Sequence, residues 1–224
     1  MNTVNQIVTL IKKEFTLDFR DKNPLFSLLV YVIGIGVICY LAFVQKGTNI
    51  STTTWNALFW INIFFISQLA ISKSFFSESK DRDFYYFFTV KPEAVIISKI
   101  IYNWLFIFCL ALVSLMVFLG VFRVNTSDTH FGWFILNLLS GSIGLSAGQS
   151  LLAGIASKTN NNATLMAVLS VPVISPLLLF MLRISNNAIE GIDVNILKDL
   201  LSMNAVNVII ITVSYFLFPY LWRS

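Results

Sequence analysis

The chain has 224 residues, of which 57% are hydrophobic and only 12% charged, with a mean hydropathy of +0.79 and a net charge of +4. A soluble domain of this length could bury a large core, but it would not keep charge out of long stretches spread along the whole chain. Nucleic-acid binding is excluded as well: the 15 Lys and Arg are scattered over the hydrophilic segments without forming a stripe or groove, and anionic lipid headgroups account better for the basic excess.

Residues 3–20 come first. Val4, Ile7, Val8, Ile11, Phe15 and Phe19 recur at steps of three or four, with Thr9, Lys12, Lys13 and Thr16 elsewhere around the wheel. The pattern predicts an amphipathic elbow helix lying flat on the cytoplasmic membrane surface. Asn23-Pro24 should end it and turn the chain into the bilayer, because proline disfavours helical geometry at the residue before it. The elbow reads either as a plain membrane anchor or as a helix beside which a cytoplasmic partner docks.

Six apolar runs follow, at about 25–44, 53–72, 100–122, 132–156, 163–182 and 203–222, and none contains Asp, Glu, Lys, Arg or His. About 20 helical residues at 1.5 Å each match a hydrocarbon core of roughly 30 Å. The fold class predicted is an all-α integral membrane protein, residues 1–224 forming a single transmembrane domain of six helices. The first run is too long for a cleaved signal core and no small-x-small site follows it, so it should stay as an anchor. Eleven of the 15 basic residues fall in the amino-terminal segment, the second and fourth connections and the tail, which places both termini in the cytoplasm. Cys39 and Cys109 lie within predicted spans, where thiols pack as small apolar groups more often than they pair.

The second connection, Lys73 to Lys99, alternates charge with aromatic bulk: Phe75, Phe76, Glu78, Asp81, Arg82, Asp83 and Phe84 stand out. Aromatics seated at the headgroup layer with charges facing water describe an amphipathic segment that either lies at the interface or couples to a cytoplasmic ATPase. The fourth run is rich in small residues. Gly144 and Gly148 form G-x-x-x-G, and Ser146, Ser150 and Gly154 make a second small face, so close helix contact is expected, whether within the chain, across a homodimer or to another subunit. In the fifth run, Pro172 and Pro176 should kink the helix and free backbone carbonyls, giving either a hinge or a bend that fits the surroundings. Asn62, Gln68, Asn103, Asn204 and Asn207 read as bridges between helices.

No nucleotide-binding glycine loop, H-E-x-x-H, C-x-x-C or nucleophile elbow occurs, so no catalytic residue and no metal site are nominated, and the chain is not read as an enzyme by itself. No acid or base lies within any run to serve as a proton relay, so any work the chain does must be powered from outside. His130, the single histidine, reads as an interfacial polar group before it reads as an axial haem ligand.

The order of parts resembles the haem exporter protein B family, CcmB, the permease of an ABC-type complex in cytochrome c maturation. The matching features are the basic elbow ending in Asn23-Pro24-Leu25, the stretch from Trp55 to Ser67 leading into the charged and aromatic segment, Ala94 to Lys99, and above all Gly141 to Phe180. The chain differs from the family in having no glycine after the acidic residue in Lys80-Asp81-Arg82-Asp83. The resemblance implies a six-helix subunit of the bacterial inner membrane that pairs with a cytoplasmic ATP-binding subunit (CcmA-like). It also implies CcmC-like and CcmD-like membrane partners, the haem chaperone CcmE-like, and possible homodimer formation. By the same resemblance haem is the substrate of the complex, ATP belongs to the partner, this chain alone binds no cofactor, and residues 73–91 are the element seated in the ATPase. A permease for lipid, glycan or drug in another ABC-2-like exporter, and a non-transporting membrane scaffold, are the alternatives.

Overall fold

A computed structural model of the chain describes residues 3–20, 23–44, 50–76, 90–122, 129–159, 162–192 and 195–223, and all regular structure among them is helical. Helix α1 spans Thr3–Arg20 and α2 Asn23–Cys39, the latter prolonged by a π-helical turn at Tyr40–Val44. Then come α3 (Thr52–Phe76), α4 (Pro92–Val121), α5 (Phe131–Ala156), α6 (Asn162–Ile189) and α7 (Ile196–Arg223). The six helices from α2 to α7 are each long and apolar enough to cross a membrane, as the hydropathy pattern predicts.

The helices run beyond the apolar runs that announce them. Helix α4 starts at Pro92, a favourable first helical position, so Lys99 lies inside the helix and not in the connection before it. Helix α6 continues past Arg183 to Ile189, and α7 begins at Ile196 ahead of Lys198 and Asp199. Arg183 and Asp199 approach to 3.7 Å across the turn between them, where Gly191 takes a left-handed φ of 68° that suits glycine just past a helix end.

Successive spans alternate in direction. One end of the bundle gathers the start of α3, the end of α4, the start of α5 and the turn from α6 to α7 around an aromatic core. There Trp55 stacks on Phe59 at 5.4 Å, and Phe59 meets both Phe118 and Phe134 at 5.7 Å. At the opposite end Leu10 of α1 packs with Val95, Ile96 and Ile100 of α4 and with Phe218 of α7.

Helix α5 is the axis of the bundle: 83% of its apolar stretch is buried, against 17–50% for the other five spans. Its small side chains make that possible. Added Cβ atoms at Gly141 and Gly148 would stand 2.8 Å from Met181 and 2.5 Å from Ile174 of α6, and one at Gly144 would stand 2.5 Å from Leu177 of α6 and also clash with Asn207 of α7. On another side of α5, the Ser146 hydroxyl donates to the Ile100 carbonyl of α4 at 2.7 Å, and Ser150 Oγ accepts from Asn103 at 3.2 Å.

Polar ties join the helices where hydrocarbon offers no competing partner. Asn56 donates to the Leu182 carbonyl and to Asn186 Oδ1, both at 2.9 Å, and accepts from Ser185 Oγ, which in turn receives the Trp60 indole N–H at 2.8 Å. Asn62 donates to Ser114 Oγ at 2.8 Å, Asn137 to the Met181 carbonyl at 2.8 Å and Asn207 to the Ser140 carbonyl at 2.9 Å. Asn204 differs from the expected bridging role: it donates to Leu200 of its own helix at 2.9 Å.

Candidate functional site

Lys99 of α4 reaches the described end of α3. Its ammonium donates to the Ser74 carbonyl at 2.8 Å and lies 4.8 Å from the centre of the Phe75 ring. On its other side it faces Glu14 of α1 at 3.6 Å, and Glu14 also pairs with Lys13 at 3.1 Å. The Lys99 side chain is only 5% exposed and that of Glu14 12%, so these charges sit in protein and compensate one another.

The contact between α1 and α4 continues beyond this cluster. The Tyr102 hydroxyl donates to the Asp18 carboxylate, and the Tyr102 ring takes the edge of Phe15 at 5.0 Å. Helix α1 therefore docks along the start of α4 through Leu10 and Phe15 and two acids, Glu14 and Asp18. Leu10, Glu14 and Asp18, at steps of four, share one face of the helix and were its legible sign. The apolar wheel counts Val4 and Val8 instead, and these are exposed at 68% and 46%.

Of the residues nominated for ATPase coupling, Phe75 and Phe76 close α3 and are half-buried against Ile71, Leu152 and Met166, so they belong to the packed base of the bundle. Glu78, Asp81, Arg82, Asp83 and Phe84 lie outside the described residues. The helix-packing residues come together within the chain: Gly144 and Gly148 face α6 and α7, Ser146 and Ser150 face α4, and Gly154 is covered by Phe218 of α7, with Phe75 beyond. Pro172 and Pro176 lie in the interior of α6 on its exposed side. Pro176 cannot donate to the Pro172 carbonyl, and Ser175 Oγ does so instead at 3.2 Å.

His130 stands exposed at the entry to α5, its backbone N–H donating to the Ala188 carbonyl at 2.9 Å. Its neighbours Thr129 and Phe131 line an apolar pocket with Trp55, Leu115, Leu119, Phe134 and Ile189, a wall that holds no histidine, cysteine or carboxylate to meet an iron. Among the described residues no three His, Cys, Asp or Glu converge, and both thiols are free, Cys39 buried and Cys109 exposed.

Besides Lys99, Glu14, Asp18 and Tyr102, sequence reasoning passed over Asn56, Asn137 and Gln149. Each is an amide in an apolar run, and its face is set only by which helix lies opposite.

No curated protein matches this chain. A family model described as CcmB protein matches residues 5–223, nearly its whole length, across α1 and all six spans. The chain therefore belongs to the CcmB family, the membrane permease subunits of the ABC-type haem exporter in cytochrome c maturation.

Proposed function

We propose that this chain is the permease subunit that couples a separate cytoplasmic ATP-binding subunit to haem handling in c-type cytochrome biogenesis, either by delivering haem or by releasing its loaded chaperone. The family match over residues 5–223 carries the reading. The fold is compatible with it: the described end of α3 and the start of α4 meet beside α1 at one end of the bundle, and the sequence between them carries Asp81, Arg82 and Asp83, ion-pairing residue types suited to a soluble partner. In this reading both termini are cytoplasmic, the membrane is the bacterial inner membrane, and ATP is bound and hydrolysed by the partner. CcmC-like, CcmD-like and CcmE-like proteins complete the assembly and supply the iron ligands.

The test is charge reversal in the connection. In the Asp81→Lys, Asp83→Lys double variant the ATP-binding subunit should no longer co-purify and mature c-type cytochromes should fall, while the variant stays folded in the membrane. Undiminished ATPase association and cytochrome output would remove the connection from the coupling role.

A further inference from the structure

Lys99 is an expensive residue to keep. A buried ammonium gives up its hydration, and a methionine of similar volume would cover the Phe75 ring as well without that cost. What methionine cannot do is hold the Ser74 carbonyl and the Glu14 carboxylate at once. Those two groups belong to different helices, and Lys99 itself belongs to a third. One side chain thus ties the end of α3 to the start of α4, the two roots of the connection between them, and ties both to the elbow helix α1.

We infer that Lys99 is a positioning residue which fixes the roots of the α3–α4 connection and the elbow helix as one body, so that a push on the connection moves α1, α3 and α4 together. The transmission clause rests on the coupling role proposed for the connection; the clamp itself does not. The geometry separates the clamp from simple packing. Helix α1 keeps its own hold on α4 through Leu10, the Asp18–Tyr102 hydrogen bond and the Phe15–Tyr102 ring contact. Glu14 keeps Lys13 as a partner when Lys99 is lost, so no carboxylate is stranded. Removing the ammonium should therefore cut the polar tie of α3 to α1 and α4, loosening the end of α3 against its remaining packing by Phe75 and Phe76, and leave α1 docked on α4. Lys99→Arg retains the charge, offers donors for both the carbonyl and the carboxylate, and should keep the clamp.

Spin-label distance measurements on the full chain in nanodiscs test this, with Cys39 and Cys109 replaced by alanine. Labels at Lys73→Cys and Lys91→Cys, both exposed, report the separation of the two roots, and labels at Lys12→Cys and Lys91→Cys report the docking of α1. In Lys99→Met the first distribution should lose its narrow form while the second stays as in the parent, and Lys99→Arg should restore the first. An unchanged 73–91 distribution in Lys99→Met overturns the clamp, and broadening of both pairs overturns it too, since that is general loosening.

In cells, Lys99→Met should still co-purify with the ATP-binding subunit and yet lose mature c-type cytochrome on the order of tenfold, the scale of coupling carried by a packed network. Full cytochrome output from a variant with separated roots overturns the transmission role. If the parent chain itself fails to bring down an ATPase, the coupling reading of the connection fails, and the distance data still decide the clamp.

Discussion

A Cβ at Gly148 would stand 2.5 Å from Cδ1 of Ile174, while one at Gly120 would meet nothing within 4 Å. The two positions predict opposite outcomes. Gly148→Leu overfills the α5–α6 contact and should cost about 1–3 kcal/mol or prevent assembly of the bundle, read as a lower melting temperature in detergent. Gly120→Ala should be neutral or gain up to about 1 kcal/mol, since it replaces a helical glycine in open space. The asparagines divide in the same way. Asn56→Leu removes three hydrogen bonds to α6 and should lower stability by about 1 kcal/mol, whereas Asn204→Leu, whose amide bonds only to its own helix, should do little by the same measurement. The glycine-rich stretch was legible in the sequence because small residues at steps of four have one main use inside a bilayer. The bridging role of Asn56 was not, because an amide in an apolar run carries no mark of the helix it will face, and Asn204 shows the opposite choice with the same residue type.

At the scale of elements, α6 shows how a helix with two internal prolines stays continuous. The Pro172 carbonyl, which Pro176 leaves without an N–H, receives the Ser175 hydroxyl. Pro176→Ala would restore the backbone bond. With both prolines on the exposed side, it should leave folded yield and c-type cytochrome output at parent levels, as a bend that only shapes the helix requires. A folded variant that made no cytochrome would instead make the bend a moving hinge. The existence and type of every span followed from hydropathy, because charge exclusion is set by the bilayer and leaves a direct trace. The ends of the helices did not follow, because hydrogen bonding continues past the last residue that must avoid water. Lys99 falls in α4 because Pro92 can start a helix and because Glu14 and Ser74, both distant in sequence, compensate its charge. No local pattern contains that compensation.

For the whole molecule, the two ends are built differently. At one end an aromatic core of Trp55, Phe59, Phe118 and Phe134 closes the bundle; at the other, α1, the end of α3 and the start of α4 meet around buried charges, the face to which the proposed function assigns the ATP-driven partner. The helix between them, α5, contacts α3, α4, α6 and α7. Whether this chain is the membrane part of an ATP-driven haem-handling complex is decided by purifying the tagged chain from its native membrane in mild detergent, identifying what co-elutes, and recording the absorption spectrum of the complex and of the isolated chain. A small ATP-binding subunit should co-elute together with cytochrome c maturation proteins, and the isolated chain should show no Soret band. An ATPase accompanied by lipid- or glycan-export proteins, or membrane partners with no ATPase at all, would contradict that role.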